Sequence, residues 1–143
     1  METNNPNTLP DIRQKVVCNA PIEKVWDAVA TSDGIAAWFM PNDFQPIEGY
    51  EFQLNAGPFG MSPCKVVELD PPHRLSFTWG KDWTLTFELT ELEKGKQTEC
   101  TLIHSGWDPD KITEFGETHT LVRDRMANGW VGLQKALITY VEA

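Results

Sequence analysis

No stretch of this chain approaches 18 consecutive apolar residues, which excludes a membrane-spanning helix. The opening METNNPNTLPDI lacks both a basic region and an apolar core, so it is no secretory signal. Basic residues are few: 12 Lys and Arg stand against 21 Asp and Glu, a net charge of −9. That balance argues against nucleic acid and anionic lipid surfaces as partners. Cysteine is scarce and odd in number, and Cys18, Cys64 and Cys100 lie too far apart for a zinc site. They read as reduced, mostly buried thiols of a cytoplasmic protein.

The motifs of common chemistries are missing too. Neither His73 nor His119 falls at metal-binding spacing from a second histidine or a cysteine pair, so no metal is expected. No Gly-x-Ser-x-Gly elbow occurs, and Ser105-Gly106 lacks the flanking glycine. The loop Gly57-Pro58-Phe59-Gly60-Met61-Ser62-Pro63 has no Gly-Lys-Ser/Thr and is not a phosphate cradle. Glu48, Glu51, Glu68 and Glu88 fall on loops or outward strand positions, with Glu88 on a solvated face opposite lysines. That gives no buried carboxylate pair. No cofactor is implied.

What is present is an ordinary globular composition, 41% hydrophobic and 23% charged over 143 residues, enough for one domain. Residues 1–11 read as a flexible arm and 12–143 as the domain. Ile12 to Asn19 alternates as a strand. Pro21 opens a short helix with Ile22, Val25, Trp26 and Val29 on one face, and Ser32 is placed to cap a second through Trp38. From Phe44 to Ser105 the period becomes two, in a series of strands joined by short polar turns. Trp83, Leu85, Phe87 and Leu89 against Thr84, Thr86, Glu88 and Thr90 is the cleanest of them.

The longest element is the stretch from Thr118 to Glu142. Val122, Met126, Trp130, Leu133, Leu137 and Val141 recur at helical steps and form one apolar stripe, with Gln134 off it. Such a helix is roughly 37 Å long, against roughly 30 Å for the width of seven strands. The expected fold class is α+β: an antiparallel sheet of six to seven strands, apolar on one face, with the helix laid across it. Gly129 and Gly132 each cost the helix about 1 kcal/mol relative to alanine. They either allow close approach to the sheet or bend the helix around a space.

Four segments carry a family resemblance: Pro21-Ile22-Glu23-Lys24-Val25-Trp26-Asp27-Ala28, Trp38-Phe39-Met40-Pro41, Leu75 to Trp79, and Gly129-Trp130 with Leu133. Thr101 to Trp107 is also similar to the family's last strand. On these residues the chain resembles the START-like, helix-grip superfamily (SRPBCC, Bet v 1-like). Within it, the chain is similar to the activator-of-heat-shock-ATPase-homologue branch, whose bacterial members are often called polyketide cyclase-like. The resemblance implies a curved sheet wrapped around the C-terminal helix, with a mostly apolar cavity between them. Lipids, sterols, hormones or polyketides occupy that cavity in relatives. Some relatives are cyclases or aromatases, and the eukaryotic namesakes stimulate a chaperone ATPase.

Inward parity collects Phe52, Leu54, Leu75, Phe77, Trp79, Trp83, Leu85, Phe87, Cys100 and Leu102 on one face. Trp38, Met126, Trp130, Leu133 and Leu137 join them, and Phe59 and Met61 lie on a loop that is either a gate at the mouth or an ordinary hairpin connection. From the residues this set is either a filled core or the wall of a ligand site. The resemblance favours the wall, making a hydrophobic small molecule the expected partner, in stress response or small-molecule sensing, and a chaperone ATPase the alternative. His104 shares the inward parity and is a structural residue, an orienter of a polar ligand group, or a general acid-base group of a cyclase or hydrolase. The protein is expected to be a monomer and a non-catalytic binder, with a cyclase or hydrolase using His104 as the alternative.

Overall fold

The computed structural model describes residues 9–55, 57, 60–80, 82–108, 110–112 and 116–142. Strand β1 (Ile12–Cys18) is followed by helices α1 (Ile22–Val29) and α2 (Ser32–Trp38). Strands β2 (Glu51–Asn55), β3 (Met61–Asp70), β4 (Arg74–Trp79), β5 (Trp83–Leu92) and β6 (Gln97–Ser105) follow, and α3 (His119–Glu142) ends the chain. The six strands form one sheet in the order β1-β6-β5-β4-β3-β2, antiparallel throughout. Short connections make β2 to β6 a meander, and only β1 joins out of sequence, at the β6 edge.

Alternation builds the inward face row by row. Ile12, His104, Leu85, Phe77 and Val66 are successive cross-strand partners from β1 to β3, and all are buried. Gln14, Leu102, Phe87, Leu75 and Leu69 form the next row. Register shifts between Val66 and Glu68, leaving Val67 as an extra, exposed residue. Such a bulge bends its strand and sharpens the local twist. On the outer face Glu88 meets Arg74, not lysines, and Arg74 also holds Glu68 over 2.8 Å. The expected solvated acidic face is therefore an ion-pair ladder.

Thr31, not Ser32, caps α2: its hydroxyl accepts from Gly34 N at 3.0 Å, while Ser32 Oγ donates to Asn42 O. Trp38 Nε1 donates to Ala28 O over 2.7 Å and locks α2 onto α1. A Cβ on Gly34 would lie 2.2 Å from Asp27 O, so these helices meet at a distance only glycine allows.

The closest backbone approaches of α3 are to β1, α1 and α2. Gln14 Nε2 donates to Ala127 O (3.0 Å), and Gln134 Nε2 donates to Gln14 O (3.4 Å). Gln134 is buried, which corrects the stripe: the buried positions are Val122, Trp130, Gln134, Leu137 and Val141, with Met126 and Leu133 half-buried. A hydrogen-bonding helix seam on an edge strand accepts glutamine where an all-apolar contact would not. Gly129 and Gly132 are exposed, and a Cβ on either would meet nothing within 4 Å. Close approach to the sheet is thus not their role.

Residues 9–11, counted with the arm, are tied down. Leu9 N donates to Trp107 O, and Arg123 Nε donates to Pro10 O at 2.8 Å. Residues 1–8 lie outside the described residues.

Candidate functional site

The inward aromatic residues form a connected series of rings. Phe44 meets Phe52, Phe52 meets Phe77, and Phe77 meets Phe87, with centroids 5.1, 5.1 and 6.5 Å apart. Trp38 is edge-on to Phe87 at 6.0 Å and stacks on Phe39 at 5.3 Å. Phe39 then bridges the layers, 5.6 Å from Trp79 on the sheet and 5.2 Å from Trp130 on α3. Edge-to-face pairs of this kind add to simple burial because ring quadrupoles are complementary.

Of the expected wall residues, Trp38, Phe52, Leu54, Phe77, Trp79, Trp83, Leu85, Phe87, Leu102, His104, Trp130 and Leu137 are all buried on this one face. Met126 and Leu133 are half-buried beside Trp130 on α3, and Phe39 and Met40 are half-buried on the α2 side. These four pack against the core; Phe39 touches Trp130, and Met126 and Leu133 flank it along α3. Met61 does not join them. It belongs to β3, paired with Asn55, on the outward parity shared with Pro63 and Lys65, and is exposed. The loop before it is shorter than expected because Met61 to Pro63 pair with β2. Phe59 lies outside the described residues.

His104 is fully buried on the inward face near the end of β6. Trp130 Nε1 donates to its Nδ1 over 3.0 Å, and Trp107 Nε1 donates to its backbone O over 3.0 Å. An indole nitrogen only donates, so Nδ1 is the acceptor and the neutral ring carries its proton on Nε2. Burial, with a smaller contribution from the Arg123 cation, pushes the imidazole down to about 3. His104 is therefore neutral at physiological pH, and its Nδ1 lone pair is engaged. What it offers is a single N–H donor, which suits orienting a ligand better than abstracting a proton.

A second cluster adjoins it, one that parity arguments miss. Trp107 packs 4.6 Å from His104 and 4.9 Å from Trp83, and His119 sits 5.8 Å from Trp107. Asp108 N donates to His119 Nδ1 at 3.2 Å, so His119 Nε2 carries the proton and faces Asp82 Oδ2 at 3.5 Å. Lys111 Nζ donates to Asp82 Oδ1 at 3.1 Å. His119 Nδ1 is thus hydrogen-bonded and Nε2 lies beside the Asp82 carboxylate, which sets the start of α3 against the β4–β5 turn. Gly106, with φ +98°, passes so close that a Cβ would lie 2.0 Å from Asp82 O. Trp107 and Phe39 are the notable omissions from the expected wall. Neither sits in a regular alternation, although the Trp38-Phe39-Met40 run was a visible signal.

Other chemistry finds little support. The thiols of Cys18, Cys64 and Cys100 are buried and unpaired; burial raises Cys18 to about 11, Cys64 to about 12 and Cys100 further still, so all stay protonated. Among the described residues no group of His, Cys, Asp and Glu could hold a metal ion, and no helix is long and apolar enough to cross a membrane. An open groove of about 440 Å³ lies at the β2–β3–β4 edge, with Asp43, Glu51, Gln53, Lys65 and Thr78 among its lining. These residues give it polar side chains of mixed charge, and Phe52, Pro63 and Cys64 also line it.

Comparison with known proteins bears on the same region. No curated protein matches the chain. Among solved structures, Bacillus halodurans protein BH1534 is 46% identical, with 95% of this chain and 99% of that one covered and a TM-score of 0.84. Mesorhizobium loti protein MLL2253 is 26% identical over 90% of this chain and 94% of that one, TM-score 0.78. The Aha1 dimer of Colwellia psychrerythraea shares the fold at 20% identity over 94% and 97%, TM-score 0.73. The family described as activator of Hsp90 ATPase homolog 1-like protein matches residues 19–142, a span from the end of β1 through α3 that includes every buried aromatic residue above. The chain belongs to the activator of Hsp90 ATPase homolog 1-like family.

Proposed function

We propose that this protein binds a hydrophobic small molecule, lipid-like, polyketide-like or flavonoid-like, between the sheet and α3, and acts as a small-molecule sensor in stress response. One observation carries the reading: Phe39, which touches the buried Trp130, and Met126 and Leu133, which flank it along α3, are themselves only half-buried, so a rim of apolar surface beside Trp130 reaches solvent. The supporting geometry is the lateral position of α3. Its backbone approaches β1, α1 and α2 most closely, so the middle of the sheet is bridged by large rings rather than by helix backbone. Methionines at the rim can repack around different ligands, while the rings supply rigid planar walls. A ligand enters by displacing Phe39 and taking over its contacts with Trp79 and Trp130. Met61, exposed on the outer parity of β3, is on this account peripheral to that route.

A panel of fatty acids, sterols, flavonoids and aromatic polyketides tests the reading. Binding quenches tryptophan fluorescence and raises the melting temperature progressively, with the logarithm of ligand concentration above the Kd. A panel that moves neither signal rejects it.

The family description favours a second reading, activation of a chaperone ATPase. Addition of the protein to the chaperone ATPase of the same cell then raises its turnover rate. An unchanged rate rejects that role and leaves the ligand site untouched. Both readings treat the protein as a monomer acting in the cytoplasm.

A further inference from the structure

Four buried side-chain atoms among the described residues have no hydrogen-bond partner: Asp82 Oδ2, Trp83 Nε1, His104 Nε2 and His119 Nε2. All four fall in one corner of the molecule, where Trp83 touches His104 and His119. Buried polar atoms normally find partners, so such a concentration calls for an explanation. Asp82 Oδ2 and His119 Nε2 face one another at 3.5 Å, a carboxylate oxygen opposite an N–H. Their opposite partial charges pair them electrostatically, without a hydrogen bond. Trp83 Nε1 and His104 Nε2 remain.

Those two cannot satisfy one another. An indole N–H never accepts, and His104 Nε2 carries the ring proton because Nδ1 takes the hydrogen bond from Trp130. Their rings are 5.2 Å apart and nearly perpendicular, at 82°. Two buried donors side by side want an acceptor.

We propose that Trp83 Nε1 and His104 Nε2 form a two-donor subsite for an uncharged acceptor oxygen, a carbonyl conjugated to an aromatic system, on the ligand bound between sheet and helix. The proposal rests on the ligand-binding reading above and specifies its polar pole. Charge favours a neutral oxygen. With His104 uncharged, no cation belongs to the pair; the Arg123 cation that acts on His104 is itself held to Pro10 O, and the Asp82 carboxylate adjoins Trp83. The surroundings favour a planar, unsaturated ligand, since Trp79 stacks on His104 at 5.4 Å and Trp107 flanks it at 4.6 Å. Trp79, Trp130 and Phe39 continue the same aromatic wall toward the rim, which takes the ligand's apolar end.

Benzophenone and diphenylmethane test this as a matched pair, differing in one carbonyl oxygen. Each is titrated into the full chain labelled with nitrogen-15, and the indole N–H resonances are followed. The expected result is tighter binding of benzophenone by at least about tenfold, the scale of one good hydrogen bond. The Trp83 indole proton also moves downfield with benzophenone alone. Trp83→Phe brings the ratio of the two affinities toward one; should that variant not fold, the wild-type resonance still decides. Saturable binding of both compounds with equal affinity, or of benzophenone with Trp83 unmoved, overturns the two-donor subsite and spares the binding reading. Binding of neither overturns the subsite, and the binding reading then stands or falls on the panel above.

Discussion

The indole of Trp130, midway along α3, donates to Nδ1 of His104 on the inward face of β6 over 3.0 Å. This one hydrogen bond joins helix to sheet in the middle of the proposed site and sets the imidazole tautomer. It also couples the two residues energetically. His104→Phe leaves the Trp130 N–H buried without an acceptor, and costs roughly 1–3 kcal/mol in chemical denaturation. In a double-mutant cycle with Trp130→Phe, the combined loss is smaller than the sum of the single losses. Strict additivity would contradict the bond.

Stability depends on pH through the same imidazole. Its folded value of about 3 lies below the unfolded value of 6.5, so the unfolded chain binds a proton that the folded one refuses between them. The contribution of neutral His104 is complete above the unfolded value and is lost as pH falls toward the folded one. The slope approaches about 1.4 kcal/mol per pH unit for one proton. Denaturation at about pH 7 and about pH 5 therefore shows a smaller pH effect in His104→Phe than in the parent protein. Equal slopes would place the titration elsewhere.

Gly129 and Gly132 are exposed helical residues with open space where a Cβ would stand. Alanine at either position stabilises the protein by about 0.5–1 kcal/mol, because it restricts the unfolded chain and meets no obstacle in the folded one. Loss of stability in urea denaturation would mean that these positions are constrained in a way the helix geometry does not reveal.

Gly106→Ala has the opposite sign. A positive φ of +98° and a Cβ 2.0 Å from Asp82 O combine strain with collision. The expected cost is about 3 kcal/mol or more, read as a large fall in melting temperature. A neutral outcome would show that the β6 end can move away from the Asp82–Trp83 corner.

Leu133→Trp enlarges a half-buried side chain on the rim beside Trp130. The variant folds, and its affinity for whichever panel compound binds falls by about tenfold or more. Unchanged affinity would move the binding route away from α3.

Strand alternation made the inward face legible, because parity depends only on neighbours along the chain. Every strand residue expected inward from Phe52 to Leu102 is buried. Helical spacing was less sufficient. The α3 stripe missed Gln134, which is buried where the helix hydrogen-bonds to β1, a tertiary fact without a periodic signature. Met61 misled in the other direction: a bulky residue next to glycines suggested a gate, but pairing with Asn55 puts it on the outer parity of β3. The Asp82–His119 clasp and the position of Trp107 arise from residues brought together after folding, and no local spacing announces them.

The central claim, a ligand held among the rings between sheet and α3, is tested most directly by the indole N–H resonances of the six tryptophans during titration with the ligand panel. The account expects saturable shifts of Trp79, Trp83 and Trp130 with at least one compound, while Trp26 on α1, outside the ring series, stays in place. Shifts confined to Trp26, or no shift of any indole with any compound, would contradict it.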